Sequence, residues 1–381
     1  MKVLFLSAWY PHRFDAMAGL FVRKHAQALA RYADVCVLYV HDDETIRRFE
    51  IIEQQCENVR ETYVYFPFSK NRFLQKISKS INYARAYIKG YTTVKQSFGK
   101  PDITQVNILT RTAILAYLLK ISQKIPYTII EHWSRYMPQN NSYEGWVRKR
   151  ITEFVVKRAA ALMLVSNYLR IAMLNCNIHH KNTIIVNNVV DDFFFMHEKK
   201  EGGAKKIMLH ISCFDEKVKN VCGIVRAAKL LSENRSDFEL IIVGYGRDFT
   251  LCYDEYTRLH FPENMVKFVG ELAPPKVEEY LKRADFVVMF SNYDNAPVVI
   301  SESLAAGKPV VATRVAGIPE MIHETNGILV EVGNERELAE KMEYMLDNAE
   351  KYDAETISKE AQKYSYETVG KELVRIYKSV M

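Results

Sequence analysis

Two carboxylates, Asp294 and Glu302, are separated by seven residues that begin with the segment Asn295-Ala296-Pro297-Val298. The stretch from Ser291 to Val311 reads as strand, loop, helix, strand: Pro297 suits a first helical turn, where its missing N–H costs nothing, and Gly307 suits the helix end. Asp294 then precedes the helix and Glu302 lies about one and a half turns inside it. Carboxylates so placed can accept hydrogen bonds from vicinal hydroxyls, as on a ribose and a sugar, while the backbone from Asn295 to Val298 receives a phosphate at the helix start. A doubly charged phosphate group needs compensation, which in the absence of metal ligands a cation and helix N-termini must provide. Gly244 and Gly246 follow the apolar run Leu240–Val243, His132 follows Tyr127–Glu131, and Gly19 closes the loop after the first apolar run.

Each of these residues follows a short β-branched run, the place where doubly wound sheets bind ligands. The runs predict strands at Lys2–Ser7, Asp34–Val40, Thr62–Phe66, Ile103–Val106, Tyr127–Glu131, Leu162–Val165 and Thr183–Val186. A second series follows at Ile207–Ile211, Glu239–Val243, Val266–Phe268, Phe286–Phe290, Pro309–Ala312 and Ile328–Val330. Helical patterns such as Val221–Ser232 and Glu335–Leu346 alternate with them, so the fold class is α/β with parallel sheets covered by helices. A length of 381 residues suits two domains. The polar run His197–Gly203 marks the linker, giving domains 1–192 and 205–364, with the amphipathic tail 365–381 packing back on the first.

The six cysteines are scattered and form no C-x-x-C pair, which points to free thiols in a reducing compartment. The N-terminal apolar run lacks a cleavage site and reads as a buried strand, and no stretch approaches the roughly 20 apolar residues of a membrane span. A cytoplasmic protein, or one peripheral to a membrane, is expected. From Ser69 to Lys100 basic residues (Lys70, Arg72, Lys76, Lys79, Arg85 and others) are interleaved with Phe73, Tyr83, Tyr87 and Tyr91, without one acidic residue. No nucleic-acid motif accompanies them, so an anionic membrane surface or anionic lipid-linked acceptor is the expected partner.

The segment from Asp294 to Glu302 resembles the E-x7-E region of glycosyltransferase family four, a retaining family with the GT-B fold, with Asp294 in place of the first Glu. Val186-Asn187-Asn188-Val189-Val190-Asp191 is similar to the family's I-P-N-G-V-D, and Thr313 to Glu320 to the loop after the E-x7-E helix; the matches run in order along nearly the whole chain. The resemblance implies two Rossmann-like domains facing each other across a cleft, the first taking the acceptor and the second a nucleotide-sugar donor. It implies that Glu302 binds the ribose, that Asp294 contacts the sugar, that the loop Ser212 to Asn220 holds the diphosphate through Lys219, with Lys217 in reserve, and that His132 faces the sugar. Gly19 and Gly317 would lie against the donor. Cys213 or its neighbours stand where the family has an arginine.

The expected activity is retaining transfer of a hexose or N-acetylhexosamine to a glycan or lipid-linked acceptor in bacterial surface polysaccharide synthesis. No metal-ligand cluster or D-x-D after a strand is legible, and neither metal nor cofactor is expected. Two alternatives stay open, a non-catalytic nucleotide-sugar-binding relative and a nucleotide-sugar epimerase. A nicotinamide enzyme needs a third glycine after Gly244 and Gly246, and a P-loop enzyme needs G-x-x-x-x-G-K-[ST]; both are missing.

Overall fold

The computed structural model describes residues 1–69, 75–109, 111–140, 142–195 and 205–381. His197–Gly203, together with Lys70, Arg72 and Phe73, lies outside the described residues. Two compact units emerge, one of Met1–Val165, Leu169–Val189 and Tyr366–Met381, the other of Ser166–Tyr168 and Val190–Ser365.

The first unit is built on β1 (Lys2–Ser7), β2 (Asp34–Asp42), β3 (Glu50–Cys56), β4 (Val59–Phe66), β5 (Ile103–Asn107), β6 (Tyr127–Glu131), β7 (Ala161–Leu164) and β8 (Thr183–Ile185). Their order is β3-β4-β2-β1-β5-β6-β7-β8, parallel except for β3, which runs antiparallel to β4 at the edge. β5, β6 and β7 are buried along their whole length, as a sheet covered on both faces requires. Helices α1 (Leu20–Ala30), α2 (Gln75–Ser97), α3 (Arg111–Gln123), α4 (Trp146–Arg158) and α5 (Asn167–Asn175) connect the strands. β3 escapes the sequence reading because Glu50, Glu53, Gln54 and Gln55 break its apolar pattern. Such polarity protects an edge strand from pairing further.

The second unit comprises β9 (Lys206–Ile211), α6 (Glu216–Lys219), α7 (Val221–Ser232), β10 (Phe238–Val243), α8 (Phe249–Leu259), β11 (Val266–Gly270), α9 (Pro274–Arg283), β12 (Phe286–Met289), α10 (Val298–Ala305), β13 (Val310–Thr313), β14 (Gly327–Val330), α11 (Glu335–Asn348) and α12 (Ala354–Ala361). Its six parallel strands are ordered β11-β10-β9-β12-β13-β14. The last helix, α13 (Tyr366–Val380), returns to the first unit and packs on α1. Val369, Leu373 and Tyr377 are buried there with Val22, Ala26 and Leu29. Gly370 permits the approach, since a Cβ on it would lie 2.3 Å from the Ala28 carbonyl oxygen.

Candidate functional site

In the second unit the chain leaves β9 toward β10 on one side and returns on the other at β12. Loops diverge at such a switch point and leave a crevice beyond the strand ends. The loops after β9, β10, β12 and β13 carry the predicted residues Ser212, Lys217 and Lys219; Gly244 and Gly246; Asp294 to Val298; and Gly317.

Lys219 ends the short helix α6 and its Nζ donates to Asp294 Oδ2. The two side chains are only 15% and 17% exposed. Burial disfavours the ammonium, yet the Asp294 carboxylate outweighs it and holds the Lys219 pKa above its ordinary value. The backbone is fastened around the pair: Asn292 N donates to the Val218 carbonyl at 2.8 Å, and Asn292 Nδ2 to that of Lys217 at 3.2 Å. Lys217 itself is exposed. Of the two predicted lysines, Lys219 is the one whose side chain meets the loop before α10.

Asp294 shapes that loop as well, its Oδ1 accepting from Asn295 N at 2.8 Å and its carbonyl from Gly317 N at 3.2 Å. Gly317 is obligatory for this approach, because a Cβ there would sit 1.8 Å from the Asn295 carbonyl oxygen. Pro297 occupies the cap position (φ −62°, ψ 121°), so α10 starts at Val298, one residue later than the sequence reading. The proline carbonyl is in extended conformation and accepts from Ile300 N at 3.1 Å. The amides of Val298 and Val299 precede any helical acceptor and carry the positive end of the helix dipole. Glu302 lies in the same helix and is 8% exposed.

Gly244 and Gly246 act on the neighbouring loop. A Cβ on Gly244 (φ 133°) would fall 1.8 Å from the Ser212 carbonyl oxygen, and one on Gly246 would fall 2.6 Å from the Phe214 backbone. Sequence reading missed His210 on β9, which is buried with Nδ1 2.8 Å from the Val288 carbonyl oxygen and Nε2 2.7 Å from Ser212 Oγ. Burial pushes its pKa down to about 4. Because a carbonyl only accepts, Nδ1 carries the proton of the neutral ring and the Ser212 hydroxyl donates to Nε2. Ser212 Oγ therefore turns lone pairs toward any ligand. The one signal of this in the sequence is a histidine inside the apolar run Lys206–Ile211.

Cys213, where the family has an arginine, is exposed. A cation nevertheless reaches this rim from the loop after β10, where Arg247 Nη2 lies 2.7 Å from Asp215 Oδ1 at the start of α6. Nothing in the spacing of Arg247 foretold this. The fold also gathers Glu216, Cys222 and Cys252, whose ligand atoms lie within 4.8 Å of one another although no sequence spacing suggested a cluster. Cys222 Sγ is 3.3 Å from Cys252 Sγ, which is 3.4 Å from Glu216 Oε2. The hydrogen-bonded contact with Cys222 and burial raise the Cys252 pKa, keeping a protonated thiol that ties α8 to α6.

In the first unit, His132 follows β6 and its ring packs on Phe21 at 4.4 Å and His25 at 5.4 Å between centroids. Burial and then the His25 charge hold its pKa well below the ordinary value, so the ring is neutral at pH 7. The preceding residue, Glu131, was not singled out by the sequence, yet it fixes the loop. Its Oε1 accepts from His132 N and Trp133 N at 2.9 Å each, and its Oε2 from Leu109 N at 3.0 Å. Burial raises the Glu131 pKa against these bonds. Gly19 (φ 58°) starts α1, and a Cβ on it would lie 2.4 Å from the Trp9 carbonyl oxygen. It folds the loop after β1 back on itself.

Residues 192–364 match the model of the family described as glycosyl transferases group 1. Over 149 residues the chain is 36% identical to the N-acetyl-alpha-D-glucosaminyl L-malate synthase of Bacillus anthracis, covering 39% of this chain and 38% of the relative. It is 30% identical over 139 residues to the amylovoran biosynthesis glycosyltransferase AmsK of Erwinia amylovora, covering 35% and 34% of the two chains. The matched stretch thus spans little more than a third of these relatives. The crystal structure of Anabaena HepE in complex with UDP-glucose superposes with a TM-score of 0.71 at 18% identity, covering 100% of both chains. The fold is GT-B, of two Rossmann-like units.

Proposed function

We propose that the chain is a retaining glycosyltransferase that moves a hexose or N-acetylhexosamine from a nucleoside diphosphate sugar to a hydroxyl of a glycan or lipid-linked acceptor. The observation that carries this reading is the Lys219–Asp294 pair at the start of α10, at the switch point of the second sheet, with Glu302 buried in the same helix. The donor's diphosphate would draw Lys219 from Asp294 and rest on the amides of Val298 and Val299. Asp294, relieved of its counter-ion, would accept from the sugar hydroxyls and Glu302 from the ribose. Gly317 and the segment Asn295–Val298 shape the sugar side, and Ser212, Gly244 and Gly246 the nucleotide side. Lys219, Arg247 and the helix dipole would balance the diphosphate charge without a metal ion.

In the reaction the bond between the anomeric carbon and the diphosphate oxygen breaks as an acceptor oxygen bonds on the same face. The acceptor proton passes to the departing phosphate oxygen. The first unit, with neutral His132 and the exposed Trp9 and Trp133, supplies the acceptor side. Support for a surface-polysaccharide role comes from the similarity to AmsK, a relative named for amylovoran biosynthesis. No helix among the described residues is long and apolar enough to cross a membrane. A cytoplasmic enzyme working peripherally on a membrane fits this reading.

The test is release of nucleoside diphosphate from a panel of UDP-, GDP- and ADP-sugars. One donor should be consumed, and Glu302→Ala should slow turnover about a hundredfold. Release that Glu302→Ala leaves unchanged would refute the assignment.

A further inference from the structure

The helices of the first unit do not share one kind of outer surface. The chain moves in one direction across the sheet through β4, β5, β6, β7 and β8, so right-handed crossovers put α2, α3, α4 and α5 on the same face. Contacts join three of them into a layer: Tyr91 Oη donates to Gln123 Oε1 at 2.8 Å between α2 and α3, and the Tyr117 and Phe154 rings meet at 5.0 Å between α3 and α4. A surface helix normally turns one apolar stripe inward and polar residues outward. These helices carry a second apolar stripe, facing out.

On α3, Ile114, Leu118 and Ile121 recur at helical spacing and are exposed, Ile121 to 59%. On α2 the exposed residues are Ile77, Ile81 and Ile88, the last at 64%. On α4, Trp146 is 76% exposed, beside exposed Val147 and Phe154. The tyrosines that the sequence reading assigned to a basic, aromatic surface behave otherwise: Tyr87 and Tyr91 are buried against the sheet. Lys79 is drawn aside by Asp42 at 2.6 Å.

Charge identifies the partner. Residues 75–158 contain fifteen Lys and Arg against four Asp and Glu, which exceeds the net +6 of the whole chain, so the remainder is acidic in balance. Arg148, Lys149 and Arg150 follow Trp146 and Val147 and are exposed. On the second unit the exposed positions of α11 are mostly acidic instead, Glu340, Glu343 and Asp347 beside Arg336 and Tyr344. A partner that rewards exposed isoleucine, leucine and tryptophan side chains together with this excess of positive charge is apolar and polyanionic at once. Nucleic acid offers the charge without the apolar interior; an anionic bilayer offers both.

We propose that the α2–α3–α4 layer of the first unit docks on an anionic lipid bilayer, with Ile88, Leu118, Ile121 and Trp146 entering the interface and the flanking lysines and arginines meeting lipid phosphates. The surface argument stands by itself and rests on the proposed function only in supplying a lipid-borne acceptor.

The full chain is floated with vesicles of phosphatidylcholine alone and of phosphatidylcholine mixed with phosphatidylglycerol. Binding to the mixed vesicles should exceed binding to the neutral ones about tenfold, and added salt should reduce it. The double variant Leu118→Asp, Ile121→Asp should lose about tenfold in vesicle binding. It should keep its thermal melt and its donor cleavage in lipid-free solution, since both side chains are exposed. A blue shift of tryptophan emission on vesicle addition should vanish in Trp146→Phe. Equal binding to both vesicles, no binding, or binding that the double variant retains would overturn the proposal. So would a lipid-free dimer that the double variant dissolves, because the face would then belong to a second copy. Donor cleavage is read without lipid, so its failure is distinct from failure to dock.

Discussion

The two units fix their candidate residues by different means. In the second, loops are pressed backbone to backbone: Gly244 on Ser212, Gly246 on Phe214 and Gly317 on Asn295, with the Lys219–Asp294 pair in the same array. In the first, the His132 loop hangs on one side chain, Glu131, whose carboxylate gathers three backbone amides. A rigid, glycine-packed array suits a ligand of constant shape, such as a nucleoside diphosphate. A loop held by one carboxylate can change its neighbours while keeping its frame, which is what the proposed function would ask of an acceptor side.

The sharpest way to break the contrast is Gly244→Ala, which adds a Cβ 1.8 Å from a carbonyl oxygen at φ 133°. It should lower the unfolding free energy of the second unit by about 4 kcal/mol. Gly270→Ala is the control, since φ is 88° but nothing lies within 4 Å of the added atom. It should cost only about 1 kcal/mol of backbone strain in the same denaturant melt.

Acid comes next. His210, with its pKa pushed down to about 4, stays neutral in the fold while the unfolded chain binds a proton below its ordinary value of about 6.5. Stability is therefore lost as pH falls through that window, by up to about 3 kcal/mol, and levels off below it. Melts of wild type and His210→Gln between these pH values should converge on the acid side. Parallel curves would remove His210 from the account.

Glu131→Ala should cost about 2 kcal/mol by stranding buried amides of the first unit, and should lower transfer to an acceptor while sparing donor binding. Weakened donor binding would erase the distinction between the units. The smallest effect is expected at Arg247, which is 66% exposed. Arg247→Ala should raise the donor KM about fivefold with kcat little changed.

How legible the molecule was follows the same division. Strand starts and ends agree with the sequence reading within about three residues because apolar β-branched runs bounded by polar turns leave little choice. The exception, β3, carries polar residues wherever an edge strand can afford them. Asp294, Glu302 and Pro297 are close in sequence, so one strand–loop–helix segment displays them together. His210, Glu131 and Arg247 gain their importance from partners 78, 22 and 32 residues away, and no local pattern encodes that. The tyrosines of α2 misled for a further reason: Tyr83, Tyr87 and Tyr91 share one helix face by their spacing of four, but composition does not say that this face is the inner one.

The central claim is that the switch-point crevice of the second unit receives a nucleoside diphosphate through Lys219, and the direct measurement is calorimetric titration of the wild type and Lys219→Ala with UDP, GDP and ADP. One nucleotide should bind the wild type, more weakly as salt rises, and at least about tenfold more weakly in Lys219→Ala. Equal binding by the variant, or no binding of any of the nucleotides to the wild type, would contradict it.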